Sequence, residues 1–562
     1  MTVPSSRPGD PAGLRLPTLL LLLTLLWAAL YLPGLGGPEL KGEEGRRVLP
    51  GLTMLETGEW VLPHLNGEPY LRKPPLINWV VAGAVRLTGE TSEWSVRLPS
   101  VLSVLALTLV LAWSGSRWMG TRGGALAGLF VLVNASLLEK GRLAEIEALY
   151  IALSGIAIGW WVAGWMRRES GWRLWLVPQI ALALGILAKG PVPHVFFFYG
   201  VVLLLLHADG EKRRLLSVAH FASLALGIGL VLLWWIPYQK ATADLGANDV
   251  MARELIRRVL GRFEPVNLLR AFANGLPWIL FGALWWSPRV LETLRSRNER
   301  LALLVRTLRW PVPVVFIGLM LIGGMLPRYT LPLYPLLVLL LAPVVPESPL
   351  WSRALWHQVN RLLGVLIVLG LPLFCLVLRF VSRPPEIGAA TWAGLSLAAL
   401  LSLGTEWWSK RRPSREAVPL ALRTTLHTAA AMAFFHLGAI PFINQRDTLR
   451  PVGAIVEANV PRGEPVYVID PGYEASLFYV RRRCVYLDSV KKIPPGASYV
   501  LARTREYQRL RDRHHGGIVA ISLREKGEKE FFLLKLVAES ETTPSPKSDQ
   551  NGNSAKISNS ND

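Results

Sequence analysis

The chain has 562 residues, 51% of them hydrophobic, with 22 tryptophans and a formal net charge of +21. Apolar runs near 20 residues, long enough to cross ~30 Å of hydrocarbon, recur along it and exclude an ordinary soluble globular protein. In a soluble chain the positive charge would suggest nucleic acid, but here it sits mostly in short loops between apolar runs, where it sets topology and meets anionic headgroups.

Reading each run as a span predicts about thirteen transmembrane helices: near 16–34, 96–114, 123–138, 146–165, 174–189, 191–207, 215–237, 272–287, 310–325, 329–346, 362–380, 387–406 and 424–444. The first run follows a short flank with Arg7 and Arg15 and is not closed by a small-x-small site, so it reads as an uncleaved anchor with a cytoplasmic N-terminus. Alternation then places the loops holding Arg117 and Arg122, Arg167 and Arg168, Lys212 to Arg214, Arg289 to Arg309, and Lys410 to Arg415 inside, in agreement with the positive-inside rule. Three segments fall outside: 37–95, 238–271 and everything beyond about 445. The domain reading is therefore a membrane domain over 1–445, a small extracytoplasmic α/β domain over 446–539, and a disordered polar tail over 540–562. The α/β expectation rests on strand-length runs at Val466–Ile469, Val485–Leu487, Tyr499–Leu501, Ile518–Ile521 and Phe531–Val537, alternating with helix-like pieces at Val452–Ala458 and Glu474–Val480. Of the two cysteines, Cys375 falls in a span and Cys484 in the last domain, so no disulfide and no metal-type spacing is expected.

Chemistry-bearing residues concentrate in the external loops. From Glu43 to Leu55, Val48, Leu52 and Leu55 recur at helical spacing and predict a short amphipathic helix on the membrane surface, which Pro50 weakens. Glu43 and Glu44 stand at its start, where the helix dipole favours carboxylates. Further on, Arg72 and Lys73 precede Pro74 and Pro75, which keep the backbone extended. A cation presented from so stiff a strut suits a lipid phosphate, although snorkelling to ordinary headgroups is an equal reading. NASLLEKGRLAEIEALY puts Glu145 and Glu147 at the outer start of the fourth span. The loop 239–274 contains RELIRRVLGRFEP, whose Arg253, Glu254, Arg257 and Arg258 predict another surface helix, with Arg262 beside an aromatic. Lys189 closes a span next to Gly190 and Pro191, where it either snorkels or joins a cationic cavity. At the turn 323–335, Arg328 and Tyr329 stand at the mouth, and Tyr334 reads as an interfacial anchor.

The run EEGRRVLPGLTMLETGEWVLPHLNGEPYLRKPPLINW resembles the first periplasmic loop of the bacterial lipid-A aminoarabinose transferases and of the wider protein O-mannosyltransferase-like family, integral-membrane glycosyltransferases of the GT-C fold. GEW, LNGEPY, KPPL and Trp79 match in order and spacing, and RLPS at Arg97–Ser100, LAKGP at Leu187–Pro191 and RYTLPLYP at Arg328–Pro335 are family-like. The resemblance implies GT-C architecture and transfer of a sugar from a polyprenyl-phosphate carrier to an acceptor, whether a lipid A-like lipid, a glycan or a protein, on the outer face of the cytoplasmic (inner) membrane. It implies catalytic carboxylates at Glu43, Glu44 and Glu147, with Lys73, Arg46, Tyr70 and Tyr329 on the donor phosphate; Arg258 and Arg262 join that phosphate set from the third external loop. The sequence departs from the family at two aspartates, which are Glu43 and Glu147 here, at an aromatic replaced by Arg47, and at a metal-binding glutamate replaced by Arg72. A metal site is accordingly not carried over; no cofactor is assigned, and a divalent cation at Glu43 and Glu44 is kept as an alternative. Two rival functions stay open: a transporter, disfavoured because the charges cluster at one face rather than at mid-membrane, and a carrier-lipid binder without chemistry.

Overall fold

The computed structural model describes residues 14–536 apart from 191–192, 247–252, 254–255, 257–259, 383–387, 445–448, 471–474, 512–521 and 526–528. The expected strand Ile518–Ile521, the tail over 540–562, Glu254, Arg257 and Arg258 lie outside the described residues. The chain divides into two compact units, one over 1–447 with 473–478 and the other over 448–472 and 479–562.

The first unit is helical. It opens with α1 (Leu16–Tyr31), α2 (Gly45–Thr57), α3 (Leu76–Thr88), α4 (Glu93–Leu132), α5 (Ala135–Lys140), α6 (Ile146–Met166), α7 (Trp172–Lys189), α8 (Pro193–Ala208) and α9 (Val218–Ala241). All thirteen apolar runs fall on helical segments, but by length and composition seven described helices can cross a membrane, eight if Pro265–Asn274 and Trp278–Trp286, bent by 93°, are one span. The runs 96–114 and 123–138 meet inside α4 at Gly120, whose φ of 76° only glycine adopts cheaply. The two halves then fold back on each other so tightly that a Cβ on Gly124 would lie 2.4 Å from the Ala112 carbonyl oxygen. The main apolar cluster runs from Leu23 and Leu30 on α1 through Phe130, Ile151 and Trp161 to Leu339 and Leu340.

The first external loop is built onto this scaffold rather than laid loosely over it. Helix α2 forms despite Pro50, because α3 covers the proline's side of it: Val48 and Pro50 are buried, and Asn78 Nδ2 donates to the Arg47 carbonyl at 2.7 Å. Leu52 and Leu55 are half-buried, and beyond α2 the loop turns through a two-stranded antiparallel hairpin, β1 (His64–Leu65) and β2 (Glu68–Pro69). Farther along, Trp234 Nε1 on α9 donates to the Val61 carbonyl (2.9 Å) and Trp79 Nε1 to the Trp60 carbonyl (2.9 Å), around a cluster of Leu62, Leu187, Trp234 and Tyr238. Tyr334 departs from the anchor reading: it is 3% exposed and its hydroxyl donates to the Ala271 carbonyl at 2.7 Å. Its ring fills the core because the helix it starts, Tyr334–Val344, is buried at every position.

In the second unit, β3 (Val466–Ile469), β4 (Cys484–Leu487), β5 (Tyr499–Arg503), β6 (Ser522–Glu525) and β7 (Lys529–Lys535) make one sheet of order β4-β3-β5-β7-β6. Strand β3 runs parallel to both its neighbours, and β7 antiparallel to β5 and β6. Ile469, Val500, Ala502 and Leu534 pack on one face with Leu510 from the helix Thr504–Arg511. Both cysteines are free thiols.

Candidate active site

The site begins with a buried ion pair. Glu44, at the N-cap of α2, is fully buried, and Arg97, in the first turns of α4, is 1% exposed. Arg97 Nε and Nη2 reach the two Glu44 oxygens at 2.7 and 3.0 Å, while its other donors take the carbonyls of Leu35, Pro38 and Glu39. Glu44 also accepts the backbone N–H groups of Lys41 and Ala144, both at 2.9 Å. With every donor matched, this bidentate pair ties the chain before α2 to α4 and to the loop before α6. It engages both Glu44 oxygens within the fold.

One residue earlier and three later, the side chains face the other way. Glu43 accepts from Arg46 Nη1 and from Arg47 Nη2, each at 3.0 Å, and Arg47 Nη1 donates to the Tyr70 hydroxyl at 2.9 Å. Arg47 is 5% exposed. Burial works against its charge, but Tyr70, Glu43 and Glu147 outweigh burial and hold its pKa above the usual value.

Glu147 enters from the first turn of α6, 4% exposed. Lys189 Nζ, at the end of α7, lies 3.4 Å from its Oε1, and Arg328 Nε 3.9 Å. Lys189 sits between two rings, 4.8 Å from the centroid of Tyr150 and 5.2 Å from that of Tyr329, which screen it from water. Glu145, just before α6, pairs with Lys140 Nζ at 3.1 Å. Burial, and then the neighbouring Glu147 charge, push its carboxyl up to about 6. A Cβ on Gly42 would stand 3.9 Å from Glu145 Oε1, so the Glu43 and Glu147 ends of the site adjoin.

The structure thus assembles Glu43, Arg46, Tyr70, Glu147 and Tyr329 in one cluster. Lys73 is half-buried beside it, since Pro74 touches the position where a Cβ of Gly190 would be, next to Lys189. Arg262 is exposed and packs near Gly323, and Arg258 lies outside the described residues. The sequence alone gives Arg47, Lys140 and Arg328 no role and leaves Lys189 between snorkelling and a cationic cavity. Arg47 was legible only as a break in the family pattern, and Lys140 carried no signal beyond its loop.

Neither Glu43 nor Glu44 fits a divalent cation, because guanidinium and backbone N–H donors occupy the oxygens of both. Among the described residues no group of three or more His, Cys, Asp or Glu is placed to hold a metal ion. What the cluster offers is five cations, Arg46, Arg47, Lys140, Lys189 and Arg328, against four carboxylates, Glu43, Glu139, Glu145 and Glu147, in a site half closed to water. The excess of positive charge suits one phosphodiester.

Comparison with known proteins gives the same direction. Residues 72–236 match the family described as dolichyl-phosphate-mannose-protein mannosyltransferase. An undecaprenyl phosphate-alpha-4-amino-4-deoxy-L-arabinose arabinosyl transferase of Erwinia tasmaniensis is 27% identical over 422 residues, which cover 69% of this chain and 73% of that protein. An uncharacterized protein of Aquifex aeolicus is 27% identical over 431 residues, 71% of this chain and 81% of its own. The crystal structure of ArnT from Cupriavidus metallidurans bound to undecaprenyl phosphate shares the fold, with a TM-score of 0.65 at 17% identity, over 92% of this chain and 97% of that one. The chain is thus similar in sequence to membrane sugar transferases over its helical unit, and it shares the fold of the ArnT structure.

Proposed function

We propose that the protein transfers a sugar from a polyprenyl-phosphate carrier to an acceptor at the outer face of the cytoplasmic membrane. The observation that carries this reading is the convergence of Arg47, Lys189 and Arg328 on Glu147, with Glu43 bridged to the same group through Arg47. The relative from Erwinia tasmaniensis carries undecaprenyl phosphate in its name, and the ArnT crystal was bound to it.

In this mechanism Glu147 holds the three cations together while the site is empty. The donor phosphate then takes its place among them, with Lys73 and Arg46 at the edge. The acceptor oxygen attacks the anomeric carbon, the bond from that carbon to the phosphate oxygen breaks, and the polyprenyl phosphate leaves with its new charge on Lys189, Arg47 and Arg328. Glu43, 30% exposed at its side chain and more open than Glu145 or Glu147, takes the acceptor proton. Glu147 stays with the cations of the donor side, and Glu44 is held by Arg97. Lys73 and Tyr329 complete the donor side, and Tyr70 orients Arg47. The thirteen-span layout, the cytoplasmic N-terminus and an extracytoplasmic second unit, placed to meet the acceptor, belong to the same proposal.

The test incubates purified protein with a panel of polyprenyl-phosphate sugars and outer-leaflet lipid extract, and measures free polyprenyl phosphate. Release by the parent, lost by about 100- to 1000-fold in Lys189→Ala and in Glu43→Gln, is the expected result. Donor binding should fall only in Lys189→Ala. Binding without release by any donor would replace the transferase with a carrier-lipid binder.

A further inference from the structure

A second charged cavity lies at the Gly120 joint of α4. Arg97 marks the donor-site end of the first half of that helix; Trp118, just before the joint, follows 21 positions later. At 1.5 Å per residue the separation is about 30 Å, one hydrocarbon thickness, so no group bound at one end reaches the other.

The cavity encloses about 780 Å³ where several helix ends meet. Its charged lining is Arg122, Arg297, Glu347, Arg353 and Glu416. Between these polar groups the wall is apolar, from Trp118, Leu126 and Leu301. Arg297, at the end of the helix Pro288–Arg297, pairs with Glu347, and Arg122 lies 4.0 Å from Glu416, at the start of Ala417–Phe434. These two pairs join elements distant in sequence across the cavity mouth. Arg353, at the start of Leu350–Val365, uses Nε to donate to the Ser348 carbonyl at 3.1 Å; among the described residues its two terminal nitrogens have no acceptor, so the planar fork faces the cavity side.

An arginine fork beside an apolar wall at a helix-end level, one bilayer thickness from the donor site, suits an amphipathic anion better than a soluble metabolite. We infer that this cavity binds a phospholipid of the leaflet opposite the donor site, its phosphate on Arg353 and Arg297 and the root of its acyl chains along Trp118, Leu126 and Leu301. The volume is that of an ordinary ligand pocket and accommodates a headgroup with its glycerol. The bound lipid would brace the ends of the elements that the two ion pairs join.

The full-length protein, reconstituted with either phosphatidylglycerol or diacylglycerol of the same acyl chains and released into native mass spectrometry, decides the matter. Retention of phosphatidylglycerol about tenfold above diacylglycerol is expected, equivalent to some 1.4 kcal/mol. The double variant Arg297→Gln with Arg353→Gln should lose that preference, while Arg213→Gln, an exposed loop arginine outside the cavity, should keep it. Donor turnover in the same samples reports folding. Equal retention of the two lipids by the unaltered protein overturns the proposal whatever the variants do. So does an unchanged preference in the folded double variant, or displacement of the lipid by inorganic phosphate alone, which would mark a free-anion site.

Discussion

Glu43 and Glu44 are chemically identical neighbours with opposite employment, and burial separates them. Glu44 and Arg97 are almost fully sealed, so Glu44→Gln leaves a buried guanidinium unpaired; the expected loss is roughly 3 to 5 kcal/mol, read as a lowered melting temperature in detergent. Glu43 is about a third exposed and Arg46 likewise, and such a pair contributes about 0 to 1 kcal/mol; Glu43 also accepts from the buried Arg47, which keeps Tyr70 and Glu147, so Glu43→Gln should lower the melting temperature less than Glu44→Gln while losing turnover. Glu145 gives a pH signature. An ordinary carboxyl stays charged down to about 4.5, whereas Glu145 takes up its proton as pH falls through about 6. Protonation removes a negative charge from beside the phosphate site. The sugar-linked donor, a phosphodiester, keeps its own charge across that range, so its Kd should tighten several-fold from pH 7.5 to pH 5.5. Calorimetric titration checks this, and Glu145→Gln should bind with the tighter constant at both pH values.

At the scale of elements, the site depends on two helices approaching closer than side chains allow. A Cβ on Gly51 would lie 2.8 Å from the Asn78 carbonyl oxygen, which is backbone and cannot swing aside. Gly51→Val should force α2 off α3, costing roughly 1 to 3 kcal/mol, and should displace Arg47 with it. The expected outcome is a lower melting temperature together with weaker donor binding. Gly83→Ala, on α3 with open space around it, should change neither. The helix itself was visible in the spacing of Val48, Leu52 and Leu55, but its partner was not. Amphipathic spacing says that one face is covered without saying by what, and the membrane surface and α3 are equally apolar covers.

For the whole molecule, the proposed layout of thirteen spans, an odd number, would put the two termini on opposite sides of the membrane. Single cysteines introduced in a cysteine-free background should report this: Arg213→Cys labelled by a membrane-impermeant maleimide only in inverted vesicles, and Arg462→Cys, between the helix Arg450–Asn459 and β3, only in intact spheroplasts. Labelling of both positions from one side would remove the thirteen-span layout and, with it, the outer placement of the second unit. The apolar runs were legible because each must be about 20 residues long to satisfy its backbone within hydrocarbon. The joint at Gly120 was equally legible as a break between two runs.

The sequence alone determined that this is a helical membrane protein with its carboxylates and cations gathered in a few loops, because span length, charge asymmetry and the KPPL-type loop are local properties of the chain. Which of those charges meet was decided only by the tertiary structure. Glu44 was sent to Arg97, 53 positions away, Glu147 to Lys189, 42 positions away, and Arg47 to the centre of the cluster, where sequence pattern marked it only as a misfit. Pairings of this kind arise when helices pack at angles and depths that no local periodicity records, and a charge buried by that packing must find its partner across it.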